Sequence, residues 1–229
     1  MKVQLKIGEI ELQFTYNYNE YFRNELKKYE LTSLSDEYHS LSVNIVNDIT
    51  DILFESPFFY KNRVRCKEKG ITYITSYNDK KSIDYQISYN KDYKSINILL
   101  NRNLESKLPE YEYVLSGMMF FDIALHNNYL PIHASAIKAN DFAVLLSGPS
   151  HTGKSTQTSY FLDVFPEGII INEDKPLVFI KDNELYICGS PWSGKNVINE
   201  NITTPFKYLL FLNKAENTKL LELSAKDKL

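Results

Sequence analysis

One loop motif says most about the fold: Gly148-Pro149-Ser150-His151-Thr152-Gly153-Lys154-Ser155, with the spacing G-x-x-x-x-G-K-S. Two glycines at this spacing allow the backbone to turn so that successive N–H groups point at one phosphate. Lys154 supplies a positive charge for the β- and γ-phosphates, and Ser155 supplies a hydroxyl for Mg²⁺. The motif therefore predicts a site for ATP or GTP with Mg²⁺.

The residues on either side of the loop fit this interpretation. Phe142 to Leu146 is a short apolar run that predicts a buried strand, and Thr156 to Phe165 predicts a helix that ends before Pro166. Such a strand–loop–helix context suits phosphate binding, because a helix N-terminus attracts anions. The expected phosphate contacts come from the loop and the first helical turn: Gly148, Ser150, His151, Thr152, Gly153, Lys154, Ser155 and Thr156. The alternative is a Gly-rich turn that binds no ligand.

The second half of the chain is expected to mix strands with this helix. His133 to Lys138 predicts a strand that pairs, through a turn at Ala139-Asn140-Asp141, with the strand leading into the loop. Four more strands are expected after the loop helix, at 168–172, 177–181, 184–188 and 206–212. This pattern predicts an α/β fold with a mixed sheet.

The first hundred residues predict mainly antiparallel β-structure. Apolar and polar residues alternate from Val3 to Ile7 and again from Ile10 to Phe14, on either side of Gly8-Glu9, which is the pattern of a hairpin. Further strands are expected at 71–77, 83–89 and 95–100, and a short helix at 20–29. The many tyrosines are interpreted as sheet packing rather than as a ligand surface.

A longer helix is expected from Pro109 to His126, since Pro109 suits a first helical position. Its predicted apolar face consists of four residues at helical spacing: Val114, Met118, Phe121 and Leu125. We expect this helix, within 108–128, to link a β-rich N-terminal lobe (1–107) to the loop-bearing unit (108–229). The two lobes are expected to share one core.

Composition excludes several classes of protein. The 229 residues carry 26 Lys and Arg against 29 Asp and Glu, with no basic cluster, so a nucleic-acid partner is not expected. No stretch reaches the roughly 20 apolar residues that cross a bilayer, and the N-terminus lacks the apolar run of a signal peptide. We therefore expect a cytoplasmic protein with no membrane partner. Cys66 and Cys188 stand alone, which predicts free thiols.

Three further segments accompany the loop: His133-Ala-Ser-Ala-Ile, Asn172-Glu173-Asp174-Lys-Pro and Ser190-Pro-Trp-Ser-Gly-Lys195. Together with the loop they resemble the catalytic core of the HPr kinase/phosphorylase superfamily, whose fold is related to ATP-dependent phosphoenolpyruvate carboxykinase. Small HPr-kinase-like proteins found beside peptide-modification and carbohydrate genes are the most similar in these motifs. The resemblance covers residues 130–215 and does not extend to the N-terminal lobe.

The resemblance implies a mixed-sheet P-loop kinase core and ATP- and Mg²⁺-dependent phosphoryl transfer to a hydroxyl. It implies that Lys154 and Ser155 hold phosphates and Mg²⁺, and that the acidic pair serves as metal ligand and catalytic base. Asp174 aligns with the base, while Glu173 stands where the family has aspartate and is assigned to the metal. HPr itself is not an expected substrate, because the segments that recognise it are not found.

The chemistry of phosphoryl transfer asks for the same parts: a phosphate cradle, Mg²⁺, extra positive charge and a carboxylate that orients the attacking hydroxyl. Asp174 would take the hydroxyl proton, and Lys195 would neutralise charge on the transferred group. Three residues are predicted as metal ligands: Ser155, Glu173 and Asp174. An ordinary acidic turn is the alternative for the acidic pair.

Three side chains near the loop have an ambiguous or limited role. His133 either hydrogen-bonds the carboxylate or the substrate, or is a histidine satisfied at a strand start. His151 is expected to contribute its backbone N–H rather than its imidazole. Trp192 either packs in a core or stacks on a base or substrate.

The leading hypothesis is a kinase whose acceptor is a serine of a peptide or small protein, or a small-molecule alcohol. One alternative is a nucleotide-sensing module without catalysis, which would bind ATP with no turnover. Another is carboxykinase-type chemistry on a keto acid, disfavoured because no arginine follows Arg102 to bind a carboxylate. Homo-oligomerisation is left open.

Overall fold

The computed structural model describes residues 1–52, 57–149, 152–194, 196–217 and 219–222. Over these ranges the chain forms two mixed β-sheets, two α-helices and two 3₁₀ helices. The predicted α/β class is therefore confirmed, with most of the ordered elements being strands.

The first sheet has eight strands and contains the N-terminal half of the chain. Its strands are β1 (Lys2–Ile7), β2 (Ile10–Thr15), β3 (His39–Val46), β4 (Phe58–Tyr60), β5 (Arg63–Glu68), β6 (Ile71–Tyr77), β7 (Ile83–Asn90) and β8 (Ser95–Asn101). Their spatial order is β1-β2-β3-β8-β7-β6-β5-β4, and β3 runs parallel to both of its neighbours. The predicted hairpin and the strands near 71, 83 and 95 are confirmed, whereas β3, β4 and β5 were not predicted.

A helix was expected over 20–29, but only a 3₁₀ helix, Glu25–Tyr29, forms there. A second 3₁₀ helix, Arg102–Lys107, leads from the first sheet into α1 (Leu108–His126). Pro109 lies in the first turn of α1, as predicted. Proline is tolerated there because its missing N–H would have no partner within the helix.

The buried face of α1 differs from the predicted one. Val114 and Leu125 are exposed, while the buried stripe includes Glu112 and Ser116. Glu112 accepts hydrogen bonds from Asn17 N, Asn17 Nδ2 and Tyr18 N at 2.7–2.9 Å, and its burial raises the pKa of its carboxyl. Because these polar residues are satisfied by specific partners, they pack inside the protein although their residue type favours the surface.

The second sheet carries the phosphate-loop motif. Its strands are β9 (Leu130–Pro131), β10 (Ala134–Ala139), β11 (Phe142–Ser147), β12 (Ile169–Asn172), β13 (Leu177–Lys181), β14 (Glu184–Cys188) and β15 (Thr203–Phe211). Their spatial order is β12-β10-β11-β15-β14-β13-β9. The helix α2 (Lys154–Val164) follows the loop and packs on β10 and β11.

One hydrophobic core joins the two sheets. Its largest cluster contains side chains of β1, β2, β3, β7, β8 and α1 together with Leu177, Phe179, Cys188 and Trp192 of the second half. Trp192 is 2% exposed, stacks on Phe120 with ring centroids 4.5 Å apart, and donates from Nε1 to Ser116 Oγ. Of the two roles considered for Trp192, the structure therefore places it in the core.

Candidate functional site

The register of β10 brings three distant segments together at the same end of the strands of the second sheet. β10 is antiparallel to both β11 and β12, with Ala134 opposite Ser147 and Ala136 opposite Asn172. The start of β10 therefore lies beside the ends of its two neighbours. His133 directly precedes β10, Gly148 directly follows β11 and Glu173 directly follows β12, so predicted site residues from three separate motifs lie at the same end of these strands.

The two glycines of the loop have positive φ angles, which glycine adopts at little cost. Gly153, with φ of +95°, is the N-cap of α2, and Gly148 has φ of +152°. A Cβ at Gly148 would lie 2.7 Å from the carbonyl oxygen of Leu212, so no side chain fits. Ser150 and His151 lie outside the described residues.

The side chains of the loop hold its carbonyl groups. Lys154 Nζ donates to Gly148 O at 2.9 Å, and Thr152 Oγ1 donates to Pro149 O at 2.8 Å. The ammonium group of Lys154 is thus bonded to the carbonyl groups of the first two loop residues, Gly148 and Pro149. Thr156 is exposed in the first turn of the same helix.

Ser155 and Glu173 meet, although 18 residues separate them in the sequence. Ser155 Oγ donates to Glu173 Oε1 at 3.2 Å, and Asn196 Nδ2 donates to Glu173 Oε2 at 3.0 Å. Carboxylate and hydroxyl oxygens are the ligands that Mg²⁺ takes, so the donor set fits the predicted metal. Asn196 was not predicted as a site residue.

Asn172 orients the acidic pair from inside the protein. It is fully buried, and its Oδ1 accepts from Asp174 N at 3.0 Å and from Lys175 N at 2.8 Å. Its Nδ2 donates to Ser190 O at 3.0 Å. These bonds turn the chain at the end of β12, so that Glu173 and Asp174 leave the strand with fixed backbone directions.

Asp174 lies among basic groups. Lys175 Nζ is 2.7 Å from Asp174 Oδ2, and His133 Nδ1 is 3.9 Å from Asp174 Oδ1. His133 is therefore near the carboxylate but beyond hydrogen-bond distance, with a side chain that is 56% exposed. Lys195, predicted to supply positive charge, lies outside the described residues, and Lys175 supplies a positive charge that the sequence analysis did not assign.

Residues 190–194, the 190s segment, pass beside Asp174. A Cβ at Gly194, where φ is +82°, would lie 2.9 Å from Asp174 Cβ. Tyr113 of α1 fixes this segment, because its hydroxyl accepts from Ser193 N at 3.1 Å, and burial raises the pKa of that hydroxyl. The packing of α1 therefore bears on the position of the predicted base.

The sequence also made predictions about the cysteines, metal ligands and membrane-spanning helices. Cys66 and Cys188 are free and buried, and burial raises the pKa of Cys188 to about 12. In the part of the chain that the structure describes, no three His, Cys, Asp or Glu side chains group as a metal site. Nor does any described helix have the length and apolar character needed to span a membrane.

Comparisons with known proteins give a weak structural likeness. No family model matches this chain, and no curated protein matches it. Among solved structures, the HPr(Ser) kinase/phosphatase from Coxiella burnetii is similar over 41% of this chain and 65% of that chain, at 18% identity and a TM-score of 0.29. The matched region thus spans less than two thirds of that protein.

Proposed function

We propose that the protein is an ATP- and Mg²⁺-dependent kinase that transfers the γ-phosphoryl group to a hydroxyl, built on a P-loop kinase core of the HPr kinase type. One observation carries the proposal. Ser155 contacts Glu173, the neighbour of Asp174, at the end of the sheet where β11 leads into the loop. The Glu173 carboxylate and the Ser155 hydroxyl together offer the oxygen ligands that Mg²⁺ takes beside a bound triphosphate.

The residues of the loop would hold the nucleotide. The N–H groups at the start of α2 and the ammonium group of Lys154 offer donors and positive charge to the phosphates. Lys154 would exchange its bond with Gly148 O for bonds to phosphate oxygens. Ser155 and Glu173 would hold Mg²⁺, which supplies neutralisation of phosphate charge when it is bound.

In this proposal Asp174 acts as the base. In the proposed reaction the acceptor oxygen forms a bond to the γ-phosphorus, the bond from that phosphorus to the bridging oxygen breaks, and ADP leaves. The hydroxyl proton goes to a carboxylate oxygen of Asp174. Lys175 fixes the orientation of this carboxylate, since its Nζ lies 2.7 Å from Oδ2.

Transfer of label from [γ-³²P]ATP tests this function. We expect the natural chain, with Mg²⁺ and an extract of host peptides and metabolites, to yield a labelled product that is stable to removal of the enzyme. Asp174→Asn, which keeps the shape of the side chain, is expected to lower the rate by about 10²–10⁴-fold while nucleotide still binds. Nucleotide binding without transfer to any acceptor would instead identify a non-catalytic sensing module.

A further inference from the structure

Half of β15 has an open edge. β14 pairs with β15 only at Thr203, Thr204 and Pro205, whereas β11 pairs with the opposite edge as far as Phe211. Within the ranges that the structure describes, no strand lies on the β14 side of residues 206–211. A row of main-chain groups is therefore left without a strand partner.

The direction of these groups follows from one hydrogen bond. Leu212 N donates to Ser147 O at 2.8 Å, so the main-chain groups of Leu212 face β11. The N–H and C=O of one residue point to the same side of a strand, and successive residues alternate. The N–H and C=O groups of Leu209 and Phe211 therefore face the open edge.

The side chains along this edge are apolar and exposed. Leu209 is 52% exposed and Phe211 is 58% exposed, and they lie on one face of the strand, while the exposed Tyr208 lies on the other. Proteins normally protect a long edge strand with charges, prolines or a covering element. From 206 to 211 the only charged residue is Lys207, so this edge is suited to pairing with another strand.

The open edge leads to the candidate active site. β15 runs parallel to β11, so both strands end where the phosphate loop begins. The carbonyl oxygen of Leu212, the residue after β15, is the atom that leaves no room for a Cβ at Gly148. An extended chain laid along residues 206–211 would thus have one end beside the loop.

We propose that this edge binds an extended polypeptide segment of the phosphoryl acceptor, which adds to β15 as a further strand and presents a serine or threonine hydroxyl at the loop. The identity of the segment as acceptor rests on the proposed kinase function, whereas the binding does not. A peptide or protein fits the edge because only a polypeptide has a matching row of N–H and C=O groups. A small-molecule alcohol has no such row of groups to pair with this edge.

A pair of substitutions at one position separates the main-chain contribution from that of the side chain. Leu209→Pro removes an N–H that faces the open edge and leaves the ladder with β11 intact, and proline is tolerated at such edge positions. Leu209→Ala keeps that N–H and shortens the side chain. The probe is a fluorescent library of nine-residue peptides with Val, Ile, Thr or Phe at alternate positions and a serine at each end, so that one serine lies beside the loop in either orientation.

Fluorescence anisotropy with this library, without nucleotide, measures the binding. We expect selected peptides to bind the natural chain, to bind Leu209→Pro about tenfold more weakly, and to bind Leu209→Ala with a smaller loss. N-methylation of alternate amides in the peptide should cause a similar loss. Circular dichroism of the two variants checks that both are folded.

Three outcomes would overturn the proposal. They are binding by no library member, equal binding to Leu209→Pro, and a dimer of the natural chain that Leu209→Pro converts to monomer in sedimentation, which would assign the edge to a second copy. Binding that appears only after deletion of residues 213–229 would assign it to the chain's own C-terminal residues and would also overturn it. Failure of the kinase function is distinguishable, because peptides would still bind at the edge while no label passed from ATP to either terminal serine.

Discussion

Ser155 Oγ donates a hydrogen bond to Glu173 Oε1 at 3.2 Å, which joins the first turn of α2 to the end of β12. If this pair holds Mg²⁺, each oxygen contributes a ligand that the other side chain cannot replace. We therefore expect Ser155→Ala and Glu173→Gln each to raise the Mg²⁺ concentration that half-saturates nucleotide binding, by at least about tenfold. Titration calorimetry with ATP at several Mg²⁺ concentrations measures this, with the exposed Ser159→Ala of the same helix as control. An unchanged Mg²⁺ dependence in both variants would remove the pair from the metal site.

Gly194 tests how closely Asp174 must be placed. Gly194→Ala would put a Cβ 2.9 Å from Asp174 Cβ at a φ of +82°, and we expect the carboxylate to shift. Since small displacements of a catalytic group are costly, phosphoryl transfer should fall by about 10–100-fold with little change in nucleotide affinity.

Gly70→Ala is the matched control, because Gly70 has a φ of +84° and open space around it. It carries a similar backbone strain without touching the site. Equal losses of activity in the two variants would show that strain alone, and not the position of Asp174, accounts for the effect.

Asn172 is expected to matter for folding as well as for the site. Asn172→Ala would leave the N–H groups of Asp174 and Lys175 without their acceptor and remove a buried bond to Ser190. The free energy of unfolding should drop by about 1–3 kcal/mol. Urea denaturation measures it, and the exposed Gln157→Ala should change it by less than about 0.5 kcal/mol. A stable Asn172→Ala variant with full activity would contradict the organising role of this side chain.

His39 gives the protein a pH dependence outside the site. Its Nδ1 is 2.9 Å from Tyr93 O and must donate, so Nε2 accepts from Asn127 Nδ2 at 3.0 Å in the neutral tautomer. Burial lowers the pKa of His39 from 6.5. The unfolded chain therefore takes up a proton at a higher pH than the folded protein does, and His39 contributes stability that is lost as pH falls below 6.5 towards the folded pKa.

Urea denaturation between pH 7.5 and pH 5 checks this contribution. The natural chain should lose stability over that range more steeply than His39→Gln, which has no proton to take up. Parallel curves for the two proteins would show that His39 is not held neutral by its partners.

Much of the fold follows from local patterns. β13 and β14 have the predicted bounds, because apolar residues extend on both sides of the polar turn Asp182-Asn183. β3 alternates Leu41, Val43 and Ile45 with Ser and Asn, so its signal was present in the sequence. β5 was harder to predict. Arg63, Arg65 and Lys67 occupy its exposed face, so only Val64 and Cys66 are left as the apolar signal of a strand.

The residue types of the candidate site can be predicted from the sequence, but their arrangement cannot. The motif predicts Lys154 and Ser155, and the acidic pair is predicted from its place after a strand and from the family resemblance. The contacts of Asn172, Lys175 and Asn196 depend on the register between β10 and its neighbours and on the path of the 190s segment. Register is set by tertiary pairing, which one sequence does not reveal.

A crystal structure with Mg²⁺ and a nonhydrolysable ATP analogue tests the proposed kinase site directly. We expect the triphosphate within the loop at 148–155, with Lys154 Nζ bonded to phosphate oxygens, the metal beside Ser155 and Glu173, and the Asp174 carboxylate facing the terminal phosphorus. An empty loop, or a terminal phosphate with Asp174 turned away from it, would contradict the proposed function.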